Sequence, residues 1–241
     1  MTRVPNLPAV SNLRLGVLTL SALLLLLGWD ATGGDLALAR LAGTPVGFPW
    51  RENPFLVHVM HESAKNLSWL LVIALFAGIR WPLGILRRLP VRARAQLACT
   101  VLLSVIAVSV LKHASHTSCP WDLKEFGGVA SHVSHWAWKV YDGGAGGCFP
   151  AGHASAAFAY LGGYFVLRRV APRAALVWLG VALAAGLALG LSQQLRGAHY
   201  MSHTLWTAWI CWVVGFAIDL AAAPRVSHLP PAQPAVQHAG P

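Results

Sequence analysis

The sequence contains few charged residues, and acidic residues are the scarcest of them. Charged side chains make up 11% of the 241 residues, with 18 lysines and arginines against 8 aspartates and glutamates. Soluble domains carry about 25% charged residues, whereas 56% of this chain is hydrophobic. The composition therefore excludes an ordinary soluble domain and predicts an integral membrane protein.

The sequence also lacks the usual metal-binding cassettes. It has 4 cysteines and 11 histidines, but no carboxylates or cysteines accompany the histidines at the spacing of a metal site. We therefore expect no metal and no other cofactor. The net charge of +10 could indicate a nucleic-acid partner, but the basic residues cluster between apolar segments rather than along one soluble face, so we expect none.

Six apolar segments predict an all-α fold, a polytopic bundle of six transmembrane helices. The longer segments approach the length of about 20 residues that a helix needs to cross a bilayer. The segments are residues 12–29, 66–82, 96–112, 152–168, 173–192 and 200–221. We expect the first to be an anchor, because no small-residue signal-peptide cleavage site follows it.

The arginines predict how this bundle is oriented. They concentrate before the first segment, between the second and third, and between the fourth and fifth, and such loops face the cytoplasm. We expect a bacterial inner membrane protein with both termini in the cytoplasm and an active site facing the periplasm. Residues 1–223 would form the membrane domain. Residues 224–241, which are rich in proline and alanine, would form a disordered cytoplasmic tail.

Histidines on the outer side stand at the starts of apolar segments. His153 opens the fourth segment, and His199 and His203 are four residues apart, which places them on one helix face. Lys112 ends the third segment, and Arg196 precedes His199 by about one turn. A neutral imidazole can attack phosphorus, and an imidazolium can protonate the leaving oxygen. These positions share one membrane depth and predict phosphate-ester chemistry there without a metal.

Three stretches of the chain resemble the motifs of the type 2 phosphatidic acid phosphatase (PAP2) superfamily of membrane lipid phosphatases. Where that family has Lys, six residues and Arg-Pro, the chain has Lys112 and Cys119-Pro120. Where it has Pro-Ser-Gly-His, the chain has Pro150-Ala151-Gly152-His153. Where it has Ser-Arg, five residues, His, three residues and Asp, the chain has Ser192-Gln193, His199 and His203.

The resemblance implies roles for the matching residues. His199 would be the nucleophile that forms a phosphohistidine, His153 the general acid, and Lys112 a phosphate ligand. Four positions depart from the family pattern. Cys119 and Gln193 replace two phosphate-binding arginines, Ala151 replaces the serine, and His203 replaces the aspartate that orients the nucleophile.

Nearby residues could compensate for the missing cations. Arg196 lies one turn from Gln193 and could supply a bidentate guanidinium, and Lys124 could supply a second cation. Gln193 can still donate a hydrogen bond to phosphate. The backbone N–H groups of Ala151 and Gly152 remain as donors at the start of a helix.

His203 could compensate only partly for the missing aspartate. If neutral, it can accept a proton from His199, but it cannot stabilise an imidazolium as a carboxylate does. We therefore expect activity to fall at acid pH as His203 becomes charged. A second alignment makes His203 itself the nucleophile, seven residues after Arg196. That spacing is one residue too long, and no acid follows at the spacing that the motif requires.

The outer loops carry two further expectations. Cys119 and Cys148 share one outer loop, where an oxidising compartment permits a disulfide, although sequence alone does not show that their sulfurs meet. Residues Pro54 to Lys65 are typical of a short interfacial helix, with Phe55, Val59 and Met60 toward lipid.

The depth of the predicted site favours a lipid phosphate or pyrophosphate as substrate, with membrane lipids as the surroundings. Candidates are phosphatidylglycerol phosphate, phosphatidic acid, undecaprenyl pyrophosphate and lipid A. Three alternatives remain open, as does the oligomeric state. The chain could transfer phosphate between lipids, it could bind a lipid phosphate without catalysis, or it could be a histidine-rich metal or haem protein with His199 and His203 as ligands.

Overall fold

A computed structural model describes residues 10–137 and 139–222, and these residues contain helices and loops but no β-strand. The predicted tail, residues 224–241, lies outside the described residues. The helices in the described part are α1 (Asn12–Thr32), α2 (Gly34–Ala42), α3 (Ala64–Arg80), α4 (Val91–Ala114), α5 (Ser155–Leu167), α6 (Pro172–Leu195) and α7 (Met201–Ala222). A π-helical segment, Phe55–Ser63, leads directly into α3.

Five stretches in the described residues are long and apolar enough to cross a membrane. They are α1, α4, α6, α7 and the continuous stretch Phe55–Arg88, which contains α3. The remaining predicted segment, residues 152–168, forms α5, which is shorter than these five. At about 1.5 Å per residue α5 is roughly 20 Å long, less than the hydrocarbon core of about 30 Å.

Helix α5 forms the core of the bundle instead of facing lipid. Phe158, Leu161 and Phe165 are almost fully buried in one apolar cluster with residues of α4, α6 and α7. Gly186 of α6 allows the close approach, because a Cβ atom there would lie 2.3 Å from the Phe158 ring. Small residues at such contacts let helices pack tightly. The packing fixes the start of α5, where His153 lies.

The turn from α6 to α7 depends on Gly197. Its φ angle is +76°, and a Cβ atom on it would lie 2.4 Å from the ring of Phe48. A side chain at this position would therefore meet both backbone strain and a clash. The amide of Ala198 donates to the carbonyl of Gln193 at 2.9 Å, which closes the turn. The chain thus reverses within a few residues and holds His199 between two helices.

The end of the bundle opposite His199 is held by a buried ion pair. Asp219 accepts hydrogen bonds from Arg168 at 2.7 Å and from Arg169 at 2.9 Å. Arg168 also donates to the carbonyl of Val10 and to the side chain of Asn12. Asp219 and Arg168 are 0% and 4% exposed, so the centre of this cluster is buried where it joins the end of α5 to α7 and the start of α1.

We expect Asp219→Asn to destabilise the fold while leaving the chemistry intact. Removing one partner of a buried ion pair costs about 3–5 kcal/mol, because the other charge stays buried. This corresponds to a fall of about 6–20 °C in the unfolding temperature, at about 2–4 °C per kcal/mol for a chain of this size. The measurement is thermal unfolding in detergent, with the exposed Arg173→Gln at the same end as the matched control. An unchanged unfolding temperature in Asp219→Asn would contradict the assignment.

Candidate active site

Four segments that are distant in sequence meet at one end of the bundle. They are the end of α4 with Lys112, the residues before α5 with His153, the end of α6 with Arg196, and the loop before α7 with His199. The rings of His153 and His199 are 6.5 Å apart between centroids. A phosphoryl group needs about 3 Å to an attacking nitrogen and its leaving oxygen needs about 3 Å to a proton donor. The spacing therefore fits one phosphoryl group between the rings.

Both histidines are neutral at neutral pH. Burial lowers the pKa of His153 to about 3, and the neighbouring His61, Lys112 and Arg196 add to the shift. The pKa of His199 lies well below its usual 6.5, again mainly because of burial, with Lys112 as the next cause. A neutral ring keeps a nitrogen lone pair, which a nucleophile requires.

The contact of His199 with a disulfide indicates which of its nitrogens is free. Cys119 and Cys148 are joined by a disulfide, with 5.1 Å between their Cα atoms. Nδ1 of His199 lies 3.5 Å from Sγ of Cys148. Because a disulfide sulfur carries no proton, we assign the proton of His199 to Nδ1. The lone pair is then on Nε2.

Lys112 reaches the site along Gly152. Its Nζ donates to the carbonyl of Gly147 at 2.6 Å, which leaves two of its three N–H bonds for a ligand. A Cβ atom on Gly152 would lie 3.3 Å from Cδ of Lys112, so glycine gives the lysine stem its room. The backbone amide of Ala151 donates to the carbonyl of His203 at 3.2 Å. This bond occupies the amide of Ala151 that the sequence suggested for phosphate.

Arg196 is buried and is held entirely by neutral acceptors. Its Nε donates to the carbonyl of Arg51 at 2.8 Å, and its Nη1 lies 3.1 Å from Oε1 of Gln193 and 2.9 Å from Nδ1 of His61. Within the described residues no hydrogen bond uses Nη2, so this nitrogen is available to an anion. Gln193 thus positions the guanidinium, and its own NH₂ group donates to Ser192 at 3.3 Å.

His61 belongs to the site, and the sequence analysis missed it. It comes from the π-helical segment, and its ring centroid lies 3.5 Å from that of His153. Since Arg196 donates to Nδ1 of His61, the proton of this ring is on Nε2, where it can meet a ligand. The sequence could have suggested His61, because this residue lies on the predicted outer side shortly before an apolar segment, as His153 does.

The expectation of a short interfacial helix over residues 54–65 is therefore corrected. The segment is π-helical and continues without a break into α3. Phe55 and Val59 are exposed, at 59% and 47%, as expected for side chains toward lipid. Met60 is half-buried and lines an apolar groove between helices, described below. The π-helical turns rotate the segment so that its His61 meets the site.

His203 does not hydrogen-bond to His199, which corrects the predicted proton acceptance. Their ring centroids are 5.9 Å apart, and neither ring nitrogen of His203 has a hydrogen-bond partner among the described residues. The reason is that α7 begins at Met201, so His199 precedes the helix and the two rings do not share a helical face. The ring of His203 lies 5.6 Å from that of His135 instead.

Lys124 is exposed in a short 3₁₀ turn, Lys124–Phe126. Its backbone amide donates to the carbonyl of Ala130 at 2.8 Å. In the part of the chain that the structure describes, no hydrogen bond connects its side chain with His153 or His199. The guanidinium of Arg51 lies 4.4 Å from the ring of Trp121 and 3.5 Å from Glu52.

One cluster at the site has the composition of a metal site. Ligand atoms of Cys119, Cys148 and His199 lie within 4.8 Å of one another, the one such group found in the described residues. The two sulfurs are bonded to each other, however, and a disulfide offers no thiolate to a metal. The group therefore does not fit a metal ion in this state.

A large apolar groove begins beside the site. Its volume is about 1130 Å³, and it lies between the helical stretch that contains α3 and helices α5 and α6. Met60, next to His61, and Ala156, shortly after His153, line one end. Trp81 lines the groove near the far end of α3, which at about 1.5 Å per residue is roughly 30 Å away.

Comparison with known proteins agrees with this geometry. A family model of the PAP2 superfamily matches residues 94–225, which is more than half of the chain. The match includes Lys112, His153 and His199. No curated protein and no solved structure matches the chain. By the extent of the family match, the chain belongs to the PAP2 superfamily.

Proposed function

We propose that this protein hydrolyses a phosphate monoester or pyrophosphate of a membrane lipid, without a metal, through a phosphohistidine on His199. The observation that carries the proposal is the pair of neutral histidine rings 6.5 Å apart. Lys112 and Arg196 flank this pair. In the described residues no carboxylate hydrogen-bonds to either ring, so the site is built for an anion.

The reaction begins with binding of the phosphate oxygens. Lys112, Nη2 of Arg196 and Nε2–H of His61 are the donors that the geometry leaves free. Lys112 and Arg196 would form charge-assisted hydrogen bonds with phosphate, and His61 would form a neutral one. Bound phosphate brings negative charge next to His153, which raises the pKa of that ring. Its protonated form therefore arises when the substrate binds.

His199 then attacks with the lone pair on Nε2. An N–P bond forms as the P–O bond to the lipid breaks, and the electron pair of that bond moves to the leaving oxygen. His153 gives this oxygen its proton. In the second half, water attacks phosphorus, His153 accepts a proton from the water, and the N–P bond breaks. Phosphate leaves and His199 is neutral again.

The apolar groove supports a lipid as the substrate. It opens next to the reacting rings and is long enough for an acyl or prenyl chain, and its lining is almost entirely apolar. The arginines at the opposite end favour a cytoplasmic position for that end. We propose a bacterial inner membrane with the site toward the periplasm. Phosphatidylglycerol phosphate, phosphatidic acid, undecaprenyl pyrophosphate and lipid A are the candidate substrates.

We expect the purified protein to release phosphate from at least one of these four lipids in EDTA. His199→Asn should lower the rate about 10³-fold or more, because the nucleophile is lost. His113→Asn is the matched control, since His113 is exposed outside the site.

Radioactive lipid phosphate should also label the wild type at His199 in an acid-labile bond. Label that moves to a second lipid, without free phosphate, would indicate a phosphotransferase. Binding without label or release would indicate a non-catalytic protein.

We expect the groove to select for chain length. Ala185→Phe places a ring in the groove and should lower kcat/KM about 10-fold for a long-chain lipid phosphate, while a short-chain analogue reacts as with the wild type. Ala184→Phe is the control, because Ala184 is exposed on the same helix but does not line the groove. Equal losses for long and short chains would show that the groove does not hold the lipid chain.

We expect NMR titration of ¹⁵N-histidine-labelled protein in micelles to find His153 and His199 neutral at pH 7, with both pKa values below the usual 6.5. Without phosphate, the pKa of His153 should be about 3, since burial disfavours its charged form. Vanadate or phosphate should raise it, because a bound anion stabilises the imidazolium. His153→Asn and His199→Asn assign the signals. A His199 signal that titrates near 6.5 would contradict the proposed neutral nucleophile.

A further inference from the structure

A second cluster of histidines and carboxylates lies behind the proposed active site. It surrounds a small cavity of about 70 Å³ between the end of α1, the loop around residue 134 and the start of α7. The titratable and charged groups that face it are Asp30, Asp35, His132, His135, Tyr200 and His203. His203 connects this cavity with the active site, because its ring lies 5.9 Å from that of His199.

The cavity contains buried polar atoms that lack hydrogen-bond partners. Within the described residues these are Oδ1 of Asp30, Nε2 of His135, the hydroxyl of Tyr200 and both ring nitrogens of His203. Buried polar atoms are normally hydrogen-bonded, so a concentration of unpaired ones around one cavity points to a functional role. A cavity of this size accommodates about two water molecules, which would connect these groups.

The two carboxylates of the cavity differ in what they bind. Both oxygens of Asp35 are used by Trp29 and by the backbone and hydroxyl of Ser202, so Asp35 holds the start of α7. Asp30 uses only Oδ2, which accepts from the indole N–H groups of Trp136 and Trp206, each at 2.9 Å. Its Oδ1 remains free. Asp30 is thus a fixed negative charge with one oxygen available.

His135 stands between Asp30 and His203. Its Nε2 lies 3.3 Å from Oδ2 of Asp30, and its ring is stacked on Phe149 with centroids 4.2 Å apart. Burial lowers the pKa of His135, against the opposing effect of Asp30 and Asp35, so the ring is neutral. Because the His135 ring carries no charge, it does not cancel the electric field of the Asp30 carboxylate at His203. The order is therefore Asp30, His135, His203 and His199.

From this order we propose that Asp30 is the positioning residue that replaces the missing aspartate. It stabilises, through His135 and His203, the positive charge that His199 acquires when its N–P bond forms. The inference rests on the proposed phosphohistidine chemistry. A carboxylate has greater effect in a buried site than in water, and no proton needs to move along the chain of rings. The carboxylate is thus separated from His199 by the rings of His135 and His203.

The test is a double-mutant comparison of Asp30→Asn and His203→Asp. In the wild-type background, Asp30→Asn should lower kcat about 10–100-fold with little change in KM, as expected for a group that acts through another. His203→Asp restores the carboxylate of the family motif at this position and serves as the second background, in which kcat is measured first without a change at Asp30. In the His203→Asp background, Asp30→Asn should then change kcat less than about 3-fold. Equal losses in both backgrounds would overturn the proposal.

Two controls separate this role from a structural one. Trp136→Phe removes one hydrogen bond to Asp30 but keeps the charge, so it should retain kcat per folded molecule. An equal loss in Trp136→Phe would make Asp30 structural. The acid limb of the pH profile of kcat should shift in Asp30→Asn and not in Trp136→Phe. Activity that is lost in EDTA and restored by Zn²⁺ would indicate a metal in the cavity and would also overturn the proposal.

Failure of this inference can be distinguished from failure of the proposed function. If the wild type releases phosphate in a His199-dependent manner but Asp30→Asn is unaffected, only the role of Asp30 is refuted. If the wild type forms no phosphohistidine and releases no phosphate from any of the four lipids, the proposed function itself fails.

Discussion

A buried guanidinium without a carboxylate partner is the constraint on which the site depends. Arg196 is 6% exposed, and the groups that accept its hydrogen bonds are a glutamine oxygen, a histidine nitrogen and a backbone carbonyl. No ion pair cancels its charge, which adds to burial and Lys112 in lowering the pKa of His153. The same charge favours an anion between the two rings. One feature thus keeps His153 neutral and favours the binding of an anion.

The departures from the family motifs form a consistent set. Where a motif arginine would stand, Gln193 holds the guanidinium of Arg196, which reaches the site from one helical turn further along the chain. Where the other arginine would stand, Cys119 forms a disulfide with Cys148, and that sulfur contacts the nucleophile. These two replacements therefore position a neighbouring group or fix the structure around His199.

The sequence predicted the residues whose position follows from membrane depth. Lys112, His153, Arg196 and His199 flank apolar segments, and such segments fix the depth of their ends, so their convergence could be foreseen. His61 could not be assigned, because its place depends on how π-helical turns rotate one segment. The direction of the His203 ring depends on α7 beginning at Met201 and not earlier. The burial of α5 was likewise hidden, since a buried apolar helix and a lipid-facing one have similar composition.

The disulfide has a consequence for how the site loses its structure. It joins a residue seven positions after Lys112 to one five positions before His153, and its sulfur touches His199. One covalent link therefore ties the segment after α4 to the segment before α5, and the segment before α7 contacts this link through His199. Fluctuations of the surrounding bundle displace these segments as a unit and leave the spacing between the histidine rings almost constant. Opening of the outer loop and disassembly of the site are consequently a single cooperative event.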